Sequence, residues 1–141
     1  MPQRFNTSTI WAPFGSFSHG VVLQDGVTVH LKGQIPLDHE GRLRGKGDMA
    51  AQLRLVLENL QSVLKSVGGR MSDIVSLTQY TTDIEAFMKA GDVRRAFFEA
   101  PYPVTTTLGV VRLYDPEVLV EISAVAEIAR DRFKQPPISH A

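Results

Sequence analysis

Glu121 carries the most chemical potential of any residue in this sequence. It lies between Val120 and Ile122 in a β-rich run, which would set a carboxylate in a largely buried strand. A carboxylate withdrawn from water is costly without a partner, and such groups gather at sites. There it could act as a base or orient a water; the plain alternative is a structural carboxylate satisfied by backbone or by a threonine. Lys32 shares strand parity with His30 and precedes Gly33. Its ammonium either enters a cleft to hold a carboxylate or snorkels to solvent. Thr105 and Thr107 share one face of another β-rich run, with Thr106 on the other. They could supply hydrogen bonds, although strand propensity alone accounts for most of them.

Standard catalytic signatures are absent. The sequence has no phosphate-loop glycine pattern, no nucleophile elbow and no His-Glu-x-x-His. His19, His30, His39 and His140 are scattered, so a metal site is not expected. Arg42, Arg44 and Lys46 make a short basic stretch without interleaved aromatics, which reads as a solvated loop before an RNA contact.

The elements that must position these residues follow from pattern. A short strand is expected at Phe5–Ile10. Val21–Gln24 and Val27–Leu31 flank Asp25-Gly26, a hairpin signal suited to a type I′ turn. Asp48 can cap a helix whose apolar stripe runs from Met49 through Leu53, Val56, Leu57, Leu60 and Leu64 to Val67, ending at Gly68-Gly69. Ile74–Thr81 reads as a strand. Thr82 and Glu85 make a capping box opening a second helix through Phe87, Ala90, Val93, Phe97 and Phe98, closed by Pro101 and Pro103. Val104–Leu113 and Val118–Ile128 are further strands, joined by a turn at Tyr114–Glu117. Residues 1–130 form one domain and 131–141 a loose tail.

The expected fold is α+β: a mixed sheet with two helices on one face, in the order β-β-α-β-α-β-β. Two helices cover one sheet face only. On the last strand Leu119, Glu121, Ser123 and Val125 alternate against Val118, Val120, Ile122 and Ala124. A face of such mixed polarity suits burial against other subunits, with polar groups lining the seams.

Bulk composition excludes several classes. With 141 residues, 43% hydrophobic and 21% charged, the chain has the makings of one globular domain. Fifteen basic and fifteen acidic side chains cancel, so no global field draws in nucleic acid or anionic membrane. Absence of cysteine removes disulfides and thiolate chemistry. No segment approaches signal-peptide or membrane-spanning length, so the expected location is the cytoplasm.

Taken in order, several segments resemble the RidA/YjgF family, some of whose members carry the endoribonuclease L-PSP label. Gly15-Ser16-Phe17-Ser18-His19-Gly20 is similar to its opening, and Lys32-Gly33-Gln34-Ile35-Pro36 to its Ser-Gly-Gln-Ile-Pro. Gln52, Leu57-Glu58-Asn59-Leu60, Gly68-Gly69 and Tyr80-Thr81-Thr82-Asp83 follow at matching spacing, and Val120-Glu121-Ile122-Ser123-Ala124 closes the pattern. The resemblance implies a chorismate-mutase-like fold and a homotrimer whose clefts lie between subunits. It also implies hydrolysis of enamine or imine intermediates to 2-oxo acids without metal or organic cofactor.

It further places Phe17, Lys32, Gly33, Thr105 and Glu121 at the cleft, where the family has a tyrosine at 17, a serine at 32 and a carboxylate-gripping arginine at 105. Gly91 stands where an asparagine is often found. Glu121 is the one polar site residue retained. Losing a bidentate arginine contact costs about 2–4 kcal/mol unless it is replaced. Lys32 is the first candidate replacement and Arg112 the second.

Three functions follow, in descending order: a divergent deaminase of an unsaturated amino acid, 2-aminomuconate being one candidate; a non-catalytic metabolite-binding or regulatory module; and an endoribonuclease. The expected partners are further copies of the chain and a small carboxylate.

Overall fold

The computed structural model describes residues 1–137; the end of the expected tail and His140 lie outside the described residues. Strands β1 (Gln3–Phe5) and β2 (Gly20–Val22) form a small antiparallel pair. The main sheet holds β3 (Val27–Gln34), β4 (Ile74–Thr81), β5 (Val104–Gly109) and β6 (Val120–Ile128) in the order β3-β6-β4-β5. β6 is antiparallel to both its neighbours, while β4 and β5 run parallel. The crossover between those two carries α2 (Ile84–Lys89) and α3 (Gly91–Arg95), which pack with α1 (Met49–Ser66) on one sheet face. This is the expected α+β layering.

Helix α1 forms where its pattern requires. Asp48 accepts a hydrogen bond from the Ala51 N–H at 3.1 Å. Leu53, Val56, Leu57, Leu60 and Leu64 are fully buried, against the even-numbered residues Val120, Ile122, Ala124 and Ala126 of β6 and against Leu77 of β4. Gly68 ends the helix at φ +82°, and the N–H of Gly69 reaches the Leu64 carbonyl at 2.8 Å. Gln52 is buried but fully used. Its amide donates to the Gly45 and Glu117 carbonyls and accepts from the Leu119 N–H, which fixes the approach to β6.

Local signals misplace four features. Val21–Gln24 and Val27–Leu31 do not pair as a hairpin: β2 pairs with β1, and β3 with β6. Gly26 has no positive φ; the chain instead bends around buried Glu127, whose carboxylate takes the Gln24 N–H. The first strand is Gln3–Phe5 and not Phe5–Ile10. The second helix is capped by Asp83, which accepts from the Ala86 N–H, because the Thr82 N–H is taken by the Leu119 carbonyl. That helix also breaks at Ala90 into α2 and α3.

The segment expected as a loose tail is tied down at least to Lys134. Arg132 forms a two-pronged ion pair with Asp73 at 2.6 and 2.9 Å, and the Lys134 N–H reaches the Val67 carbonyl. In the basic loop, Arg42 pairs with Glu40 and Arg44 with Asp38. Backbone N–H groups, Arg42's foremost, together with Arg44 hold the Asp38 carboxyl below its usual range.

Candidate functional site

β5 is an edge strand, so its helix-facing residues are not all covered. Thr105 and Thr107 border an open cavity of about 550 Å³, flanked by the segment Phe14–Phe17 and by α2 and α3. Gln79 of β4 lies opposite Thr107 and donates to its Oγ1 at 2.8 Å. The other amide atom of Gln79 is buried without a partner among the described residues. Such an atom is costly unless something from outside satisfies it.

Arg94 enters the same cavity from α3. Its Nη2 donates to the Ser16 carbonyl at 3.0 Å and to Thr105 Oγ1 at 3.1 Å. Its Cζ stands 5.3 Å from the centre of the Phe98 ring. Burial pulls the guanidinium's pKa below the usual arginine range, with Tyr102 opposing and Arg95 adding to the shift; it remains a cation at neutral pH.

The mouth is aromatic. Ring centroids of Trp11 and Phe14 are 5.5 Å apart, those of Phe14 and Phe17 5.2 Å, and Trp11 also stands edge-on to His19. His19 Nδ1 accepts the Thr7 N–H, and its backbone N–H reaches Asn6, which straps this segment to the N-terminal strand region. Trp11 and Phe14 nonetheless keep 58% and 84% of their surface exposed, an unusual amount for two adjacent aromatics.

Glu121 lies elsewhere. In register it stands beside Tyr80, whereas Thr105 stands beside Leu77, and those two positions of β4 point to opposite faces. Glu121 therefore sits on the face without helices and is half-buried, not largely buried as its apolar neighbours suggest. Gly33, at the irregularity between Leu31 and Gln34, makes room for it. A Cβ on Gly33 would overlap Glu121 Oε2 and come within 3.1 Å of Cδ. Lys32 is exposed and forms no ion pair among the described residues.

The residues singled out by sequence thus fall into two groups within one chain. Phe17, Thr105 and Thr107 line the chamber; Glu121, Lys32 and Gly33 lie toward the open face. Arg112 is exposed in the loop after β5 and joins neither. Arg94 was missed. The available signal was an arginine beside Val93 and four residues before Phe98, at the margin of an apolar stripe. Among the described residues no group of His, Asp or Glu is spaced to hold a metal ion, and no helix is long and apolar enough to cross a membrane.

Comparison with known proteins agrees with this architecture. The profile of the endoribonuclease L-PSP family matches residues 7–128. A RutC family protein from Pyrococcus abyssi is 32% identical over 114 residues, spanning 81% of this chain and 87% of its own length. A 2-iminobutanoate/2-iminopropanoate deaminase from Dermatophagoides farinae is 30% identical over 116 residues, spanning 82% and 88%. The solved structure of YyfB from Yersinia pestis, a Rid-family protein of unknown function, superposes with a TM-score of 0.81 at 31% identity. That match covers 90% of this chain and 98% of YyfB, with the same chorismate-mutase-like layering. A profile match over most of the length, together with a shared fold, means that this chain belongs to the RidA/YjgF family of small-molecule-binding proteins.

Proposed function

We propose that the chain is a hydrolytic deaminase working as a homotrimer on an enamine or imine formed from an unsaturated amino acid. The observation that carries this reading is the placement of the two half-sites on opposite faces of one sheet. One chain cannot close them around a ligand, whereas adjacent chains in a ring can present Glu121 from one to the chamber of the next. The relative named as an imine deaminase supports the reaction class.

The chemistry balances with the residues present. Water attacks the imine carbon while Glu121 accepts one of its protons and passes it to nitrogen, giving the carbinolamine. Glu121 then relays the hydroxyl proton to nitrogen as the C=O forms, and the C–N bond breaks to leave the 2-oxo acid and ammonia. Thr105 and Thr107 supply hydrogen bonds, and Lys32, next to Gly33 in β3, supplies a positive charge for a substrate carboxylate. No metal or organic cofactor is invoked.

The test is ammonia release, above the spontaneous rate, from 2-aminomuconate and from enamines generated in place by a dehydratase acting on hydroxyl-bearing amino acids. The expected result is turnover that falls by about 10²–10⁴-fold in Glu121→Gln. A folded protein that releases no ammonia from any of them overturns the reading. Stabilisation by 2-oxo acids without turnover would then favour the second reading, a metabolite sensor, which the threonine at 105 already supports. Endoribonuclease activity draws the least support, since net charge is zero and Arg42 and Arg44 are engaged by Glu40 and Asp38.

A further inference from the structure

Arg94 is a largely desolvated cation without a counter-ion. No carboxylate forms an ion pair with it among the described residues. Its Nη2 is fixed by Ser16 and Thr105, its Nε is buried without a partner, and its Nη1 makes no hydrogen bond to the described residues. Two neutral acceptors and one aromatic face satisfy a desolvated guanidinium only in part, so a bound anion stabilises it further. No Asp or Glu lines the chamber, and the other arginine on its wall, Arg95, is already paired with Asp92. Opposite the threonines and Gln79, the wall is apolar and largely aromatic, with Trp11, Phe14, Phe17, Phe87 and Met88 facing the space. At about 550 Å³ the chamber is of ordinary small-ligand size and exceeds what a short-chain oxo acid fills.

We propose that Arg94 is the anion-binding residue of this chain, and that the ligand it selects is a carboxylate carried on a flat, apolar body. The guanidinium comes from a helix, and Thr105 of the edge strand serves as its anchor. The inference rests on taking the chamber as the ligand site of the proposed function, but not on whether the ligand is turned over. Arg94 also presents its Nη1 from a guanidinium held in place by Ser16 and Thr105, a fixed charge that a flexible lysine ammonium does not offer, so Arg94 and not Lys32 sets the position of the carboxylate.

Titration calorimetry with trans-cinnamate, cinnamamide and propanoate tests this directly. Cinnamate is expected to bind about tenfold or more tightly than its uncharged amide, and tighter than propanoate by a similar factor. In Arg94→Gln the advantage of cinnamate over cinnamamide should vanish. No preference for cinnamate in the unaltered protein, or the full preference retained in Arg94→Gln, overturns the assignment. Should that variant fail to fold, the Arg94 Nε–H resonance of the unaltered protein carries the test. It must move on adding cinnamate and stay still with cinnamamide; an unmoved signal under saturating cinnamate overturns the proposal. Ammonia release is measured separately. Its absence with the carboxylate preference intact removes the deaminase reading alone, and turnover without that preference removes the Arg94 assignment alone.

Discussion

Gly33 and Glu121 work as a single device, because the missing side chain of one is the space occupied by the other. Gly33→Ala should therefore displace the carboxylate while leaving the strand intact. We expect kcat to fall by about 10²-fold, the scale of a misplacement near 1 Å, with a change in stability of about 1 kcal/mol or less. Steady-state kinetics beside thermal melting separate the two effects. Strand alternation alone was enough to place Thr105 and Thr107 together and to set Glu121 apart in parity from Val120 and Ile122. The burial expected for Glu121 came instead from its apolar neighbours Val120 and Ile122, which face the helices while Glu121 faces the bare side and is only half-buried. Arg94 was illegible for a different reason. A helical arginine ordinarily reads as solvated, and its partners Ser16 and Thr105 lie 78 and 11 residues away along the chain.

Elements whose signals are local and cooperative were readable. Helix α1 has a cap, a stripe and a terminating glycine that all agree, and it forms between the expected ends. The Asp25-Gly26 hairpin failed because a turn signal cannot see a competing partner: the Gln24 N–H is taken by Glu127, 103 residues on. The same blindness hid the docking of the C-terminal segment, where Arg132 grips Asp73 across 59 residues. Asp73 is 6% exposed, so removing its cation leaves a carboxylate stranded from water. Arg132→Ala should cost about 2–3 kcal/mol in urea denaturation, below the upper range for buried pairs because Arg132 itself keeps some solvent contact. An unchanged midpoint would show that the segment contributes nothing to the fold.

At the scale of the whole molecule, the uncovered sheet face presents His30, Ser76, Thr78, Ser123 and Val125, a mixture suited to seams between chains. If each cleft takes Glu121 from one chain and the chamber from its neighbour, defects in the two halves should complement. Glu121→Gln and Arg94→Gln chains, each nearly inactive alone, should regain part of the ammonia release when unfolded and refolded together. Mixing that restores nothing would place both halves on one chain and defeat the ring arrangement.

The bare side of the sheet then ties chemistry to abundance. Where copies are scarce, separated chains would each hold half of a reaction vessel, and the rate would fall more steeply than the amount of protein.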